Sequence, residues 1–130
     1  QTTAEQMPFQ NDIFTNITVA FGVRNFYDIK EGFKSFHRVL KKEGKATVIE
    51  FQMPENKVFK VLYKFYFKKM LPFIGGIVSR NKTAYKYLPD SVEEFDEKVS
   101  LIDLLKEAGF KSVKKYKLTF GIVQVVIAEK

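Results

Sequence analysis

Apolar and polar positions along this chain sort into two periods. From Ile17 to Phe21 the run ITVAF is apolar nearly throughout, the texture of a strand covered on both faces. It leads into Gly22, and then Arg24 and Asn25 follow. Asp28 to Lys41 shows the helical period, with Phe33, Phe36, His37 and Leu40 on one stripe. Asp28 is a suitable N-cap, Glu31 stands at the capping-box spacing, and Gly44 is the expected stop. Lys45 to Phe51, KATVIEF, reads as a second buried strand. Strand, helix and strand on short links predict a βαβ unit, hence a parallel pair with a right-handed crossover.

The texture changes at Pro54. Lys57 to Leu71, KVFKVLYKFYFKKML, is helical, aromatic and basic. Lys57, Lys60, Lys64 and Lys68 form one stripe, with Phe59, Leu62, Tyr66 and Met70 on other faces. Three readings stand: a helix on an anionic membrane, the lining of a greasy pocket, or a core helix with snorkelling lysines. Leu71 to Ser79 is an apolar turn broken by Pro72 and Gly75-Gly76, without phosphate-loop spacing. Asn81 to Ser91 reads as a loop carrying Tyr85 and Tyr87, and Ser91 with Glu94 as the cap of a short helix. Ser100 and Asp103 open LIDLLKEAG, a helix closed by Gly109. Lys111 to Thr119 and Ile122 to Ala128 are expected as strands around a tight link at Phe120-Gly121. A terminal hairpin puts an antiparallel edge on a parallel sheet. Pattern alone predicts an α/β sheet with a helical insertion after its second strand.

Composition narrows the chemistry. With 130 residues and 45% hydrophobic content, the chain suits one domain with a modest core. The absence of Cys excludes disulfides, thiol nucleophiles and thiolate metal sites. A single His argues against a histidine metal cluster or a Ser-His-Asp triad, so no metal is expected. The formal net charge of +7 comes from scattered lysines and fits a solvated surface or an anionic membrane. Nucleic acid is not an expected partner. The longest apolar run, Leu71 to Val78, is too short to span a bilayer.

Ligands of open α/β sheets bind beyond the carboxyl ends of the strands. Arg24, Asn25 and Glu50 reach that edge. Arg24 is either a ligand-binding cation or the partner of a nearby carboxylate. Glu50 could act as a base or a polar anchor, but an ion pair with Arg24 or a lysine is the preferred reading. His37 lies on the apolar stripe and is read as a packing residue. Tyr85 and Tyr87 either face a ligand or pack.

The strings AFGVRNFYD, FHRVLKKEGKATVIEF, LPFIGGIVS, YKYLPDSVEEF, LLKEAGF and LTFGI carry a resemblance that covers the whole chain in order. They resemble the ubiquinone/menaquinone biosynthesis C-methyltransferase family, with its FG-(L/I/V)-RN, RVLKPGG, LP-x-(I/M)-G, Y-x-YL-x-x-S, AGF and LT-x-G-I segments. RVLK and AGF occur in many methyltransferases, whereas FGVRN, LPFIGG and YKYLPDS are specific. The resemblance implies the carboxyl-terminal half of a class I S-adenosylmethionine-dependent methyltransferase fold, Rossmann-like, over residues 1–130. Residues 54–91 would be a substrate-lid insertion. The implied reaction is ring-carbon methylation of a prenylated quinol, with Arg24 and Asn25 catalytic. Glu50, Tyr85 and Tyr87 would touch substrate, and Thr3, Ala4 and Ala20 would line the cofactor. Thr3 and Ala20 depart from the family's usual residues, and RVLKKEG has lost the Pro of RVLKPGG.

In the family a Gly-rich cofactor loop and an acidic ribose-binding residue precede the point where this chain begins. The chain is therefore expected to be inactive alone, or to act as a non-catalytic interaction or assembly module. Its first strand would expose an apolar edge, which predicts a homo-oligomer. The expected location is cytoplasmic, with peripheral contact to the inner membrane.

Overall fold

The computed structural model describes residues 2–67 and 82–130, with residues 82–89 described by backbone alone. It contains β1 (Phe14–Ala20), a 3-10 turn (Val23–Asn25), α1 (Ile29–Val39), β2 (Leu40–Phe51) and α2 (Lys57–Phe65). After these come α3 (Lys82–Lys98), α4 (Leu101–Glu107), β3 (Ser112–Leu118), a second 3-10 turn (Thr119–Gly121) and β4 (Val123–Glu129). The four strands form one sheet in the order β1-β2-β4-β3. β1 and β2 are parallel, with Ile17 opposite Ala46 and Val19 opposite Val48. β4 runs antiparallel to β2, because Lys130 donates to the Gly44 carbonyl at 3.0 Å while Gln52 donates to the Ile122 carbonyl at 2.9 Å. The predicted parallel pair and terminal hairpin are both present.

Two compact units make up the chain. The first holds residues 1–50, 100–117 and 124–130. Its core forms where α1 and α4 meet and cover one face of the sheet. Phe33, Phe36 and Val39 of α1 are buried, as are Leu40, Ala46 and Val48 of β2, Leu105, Phe110, and Val126 and Ala128 of β4. Alternation along β2 and β4 is what a half-covered strand requires. Asp28 caps α1 by accepting the Glu31 N–H at 3.0 Å, and Ser100 caps α4 by accepting from Asp103. Gly109 closes α4 at φ +105°, where a side chain would be strained.

The second unit holds residues 51–99 and 118–123. Met53, Tyr63 and Val92 form its core, with Phe51, Phe67 and Ile122 packed against them. Asp96 accepts the Met53 N–H at 3.1 Å, and Gln52 donates to the Gly121 carbonyl at 3.0 Å.

Three local expectations are corrected. Gly44 does not stop α1: Leu40 turns extended at φ −73° and ψ 141°, and its N–H closes on the Phe36 carbonyl. Gly44 instead sits within β2, where the register jumps from Phe14↔Leu40 to Asn16↔Lys45. A Cβ there would meet the Lys41 carbonyl oxygen at 2.7 Å, so close backbone approach requires the glycine. Ser91 is not an N-cap, and residues 82–91 are not a loop. α3 runs through them, with Val92 and Phe95 buried at helical spacing just beyond. β1 is not covered on both faces; as an edge strand of the described sheet, it leaves Thr15, Asn16, Thr18 and Ala20 exposed. The helix expected from Lys57 is present as α2 to Phe65 and continues as a wider helical turn through Tyr66 and Phe67. The remainder of the expected helix, and the Leu71–Ser79 turn, lie outside the described residues.

Candidate functional site at the carboxyl end of the first two strands

Ala20 ends β1 opposite Ile49. Phe21 then adopts φ +55° while its N–H still reaches the Ile49 carbonyl at 2.8 Å. A left-handed aromatic residue is a backbone outlier, and such strain collects at functional sites. The inversion throws the chain off the sheet, and the 3-10 turn is tied by the Asn25 N–H to the Gly22 carbonyl at 3.0 Å. Val23 plugs the core beneath it. Arg24 is thereby aimed at the end of β2, with its Nε 3.0 Å from Glu50 Oε1. The side chains are 9% and 0% exposed, so this is a buried ion pair. Its members desolvate at a cost that their attraction must offset. Pairing through Nε fixes the plane of the guanidinium, a rigid fork with several donors. Of the readings open for Glu50, the ion pair with Arg24 is the one found.

Asn25 is exposed beside this pair, and Tyr27 is fully exposed on the same loop. Thr3 and Ala4 lie along the start of α1. A Cβ on Gly32 would meet Phe26 at 2.7 Å and Ala4 Cβ at 3.7 Å, so the three pack closely. Glu5 Oε1 accepts the Asp28 N–H at 3.1 Å, and the Glu5 carbonyl accepts from Ser35 at 2.7 Å. The hydrogen bond from Asp28 is the main reason the Glu5 carboxyl titrates below its ordinary range. Arg38 clamps the same segment by donating to the Met7 and Phe9 carbonyls at 2.8 and 2.7 Å. The sheet edge thus gathers Arg24, Asn25, Glu50 and Ala20, and the α1 start gathers Thr3 and Ala4. The side chains of Tyr85 and Tyr87 lie outside the described residues.

Sequence reasoning passed over Glu5, Arg38, Phe21 and Tyr27. The first two act on irregular backbone more than twenty residues away, which no local spacing signals. His37 packs its edge on Phe110, with ring centroids 5.2 Å apart, away from the Arg24 loop. Among the described residues, no group of three or more His, Asp or Glu side chains could hold a metal ion.

The open α/β sheet with a strand-exit loop above its carboxyl edge is that of S-adenosylmethionine-dependent methyltransferases. A SAM-dependent methyltransferase of Thermotoga maritima superposes with a TM-score of 0.64 at 18% identity, covering 99% of this chain and 62% of that one. Another from Aquifex aeolicus gives 0.60 at 15% identity, covering 99% of this chain and 52% of that one. The chain belongs to the ubiE/COQ5 methyltransferase family, whose model matches residues 1–130. It is 46% identical over 126 residues to the ubiquinone/menaquinone biosynthesis C-methyltransferase UbiE of Geotalea uraniireducens, covering 97% of this chain and 53% of that protein. A demethylmenaquinone methyltransferase of Chlorobaculum parvum is 46% identical over 127 residues, covering 98% of this chain and 53% of the relative. The chain spans about half the length of these relatives.

Proposed function

We propose that this chain is the carboxyl-terminal part of an enzyme that methylates a ring carbon of a prenylated quinol with S-adenosylmethionine. The observation that carries the reading is Arg24, buried at the carboxyl edge of the sheet and oriented by Glu50 at 3.0 Å. Family membership supports the reaction class, and the strained Phe21 beside the loop supports a site there.

S-adenosylmethionine would supply the electrophilic methyl group. The residues present fit one wall of its cleft: Ala20 is small and exposed at the strand end, Gly22 leaves the backbone approachable, and Thr3 and Ala4 border α1. A quinol attacks through carbon best when its hydroxyl gives up its proton, here to a water that Arg24 would orient, because the phenolate enriches the ortho carbon; the methylated carbon then returns its own proton to solvent as the ring regains aromaticity. Arg24 is the group of this chain that stabilises that oxygen, by charge and by a preset donor plane. Glu50 acts as its positioning residue. Asn25 orients the ring from the exposed rim, and Tyr85 and Tyr87 belong to the substrate side of the reading. Residues 54–91 serve as a lid over the prenyl tail. A cytoplasmic location with peripheral contact to the inner membrane belongs to this reading. So does pairing of two copies through the β1 edge, which a solution mass measurement tests.

The test uses a full-length protein containing this sequence. Arg24→Gln, shown folded by its melting curve, is expected to lower kcat for quinol methylation by about 100-fold or more, the cost of losing one oxyanion donor. Arg24→Lys should recover part of it. Unchanged methylation in folded Arg24→Gln would overturn the assignment.

A further inference from the structure

Helix α2 carries two apolar sectors, and only one of them is packed. At 3.6 residues per turn, Phe59 and Tyr63 share a sector. Tyr63 is buried and stacks on Phe67 at 4.3 Å, and Phe59 stacks on Phe120 at 5.1 Å. Val58, Val61, Leu62 and Phe65 fall on the far side, where they are 66%, 68%, 56% and 54% exposed. Lys57, Lys60 and Lys64 occupy a third sector that borders the exposed apolar one. Scattered surface apolar residues are ordinary, but four in one helical sector make a patch that water disfavours.

We propose that this outer face of α2 docks on an anionic lipid bilayer, with Val58, Val61, Leu62 and Phe65 in the interface and Lys57 and Lys60 on lipid phosphates, Lys64 being paired with Glu93 of α3. It deepens the peripheral contact in the functional reading above, and rests on that part of it, by giving the contact a surface and a lipid charge. Three observations argue for a bilayer. The cations flank the apolar sector instead of opposing it, so their stems can lie along the acyl boundary while their ammonium groups reach the headgroups. The whole chain carries a net charge of +7, matching an anionic surface. α2 is nine residues long, well short of a bilayer span, so a contact through its outer side would leave it in the surface plane. A second copy is the poorer occupant. A two-fold contact on this face would set Lys57 and Lys60 against themselves, and like charges so placed repel.

A full-length protein containing this sequence would be titrated with phosphatidylcholine vesicles prepared with and without phosphatidylglycerol, and bound protein read by co-sedimentation. Binding is expected on the anionic vesicles and should fall as salt rises. Each lysine near the surface contributes about fivefold in affinity, so Lys57→Gln with Lys60→Gln should weaken binding about 25-fold. Val61→Asp with Leu62→Asp should abolish it, with circular dichroism confirming that both variants keep the wild-type helix content. If the variants bind as the wild type does, peripheral contact stands but the α2 face is the wrong surface. If no anionic vesicle retains the folded wild-type chain, the surface and the peripheral contact both fail. Equal binding to neutral vesicles overturns the role of charge. A concentration-dependent dimer lost in Val61→Asp, with no vesicle binding, assigns the face to a second copy and overturns the proposal.

Discussion

Helices α1 and α2 are written in nearly the same way and end in opposite situations. Both open on a side-chain cap, Asp28 or Asn56. Both carry aromatic residues at helical spacing and lysines between them. Yet α1 places Phe33 and Phe36 at 0% and 4% exposure, whereas Val61 and Leu62 of α2 stay more than half exposed. α1 is enclosed because the chain returns to it twice, through α4 and through the segment that Arg38 and Ser35 hold down. α2 is also met twice, by Phe120 stacking on Phe59 and by α3, whose Val92 packs with Tyr63 and whose Glu93 pairs with Lys64, but both returns leave the Val58, Val61, Leu62 and Phe65 sector uncovered. An amphipathic pattern therefore says that a helix will bury a face. How many faces are buried depends on what the rest of the chain brings back.

The sharpest way to break this comparison is to shave one apolar side chain from each helix. Phe33→Ala removes a fully buried ring from a close-packed site and should destabilise the first unit by about 3–5 kcal/mol. Leu62→Ala removes a side chain that water already reaches and should stay within about 0.5 kcal/mol. Urea unfolding of both variants measures the gap. Equal losses would mean that the outer sector of α2 is packed in solution, and the contrast would collapse.

The caps give a smaller and more local contrast. Asp28 accepts the Glu31 N–H at 3.0 Å, and Asn56 accepts the Val58 N–H at 2.9 Å. Losing either cap costs about 1 kcal/mol. In α1 that loss is coupled to the core, so Asp28→Ala should shift the global unfolding midpoint. In α2 it should appear as faster amide exchange at Lys60, whose N–H bonds to the Asn56 carbonyl at 2.8 Å. Protection at Lys60 unchanged in Asn56→Ala would show that α2 is held by more than its cap and its single packed face.

These helices also mark what could be read in advance. Caps are local, so Asp28 and Ser100 were legible from spacing, and so was the closing Gly109. The parallel pair and the hairpin followed from apolar runs and their links. Arg24 and Glu50 could be placed on one edge because βαβ geometry brings strand ends together, and their ion pair was among the readings open. Features set by distant backbone were not legible. Gly44 is crowded by the Lys41 carbonyl of its own strand at 2.7 Å and by the Thr15 carbonyl at 3.2 Å, and the second meets it only once β1 and β2 are paired. Ser91 looks like a cap in sequence, but α3 runs through it, with Val92 and Phe95 buried just beyond. The apolar run of β1 promised cover on both faces, and cover depends on neighbours, not on the run. The left-handed Phe21 has no sequence signal at all, since a bulky residue is the last expected there.

The smallest expected effect separates the helices by titration. His37 lies on the packed stripe of α1 with its edge on Phe110. Burial pulls its pKa below the ordinary value, and Lys130 and Lys111 push the same way. A hydrogen bond with the Gly109 backbone and the charge of Asp12 oppose the shift without reversing it. A His with a lowered folded pKa favours its neutral form in the native state, so the unfolded chain takes up the proton first. Stability is then level above the unfolded value of about 6.5 and declines as pH falls from there toward the lower folded value. Glu5 is also depressed, but as a carboxylate it loses its contribution only below about pH 4.3, clear of the histidine window. Unfolding midpoints between about pH 7 and pH 5.5 should therefore slope in the wild type and flatten in His37→Gln, which cannot take up a proton there. Parallel slopes in the two proteins would mean that the His37 ring titrates alike in the folded and unfolded chain, and that α1 is less enclosed at its carboxyl end than Phe110 and Gly109 make it.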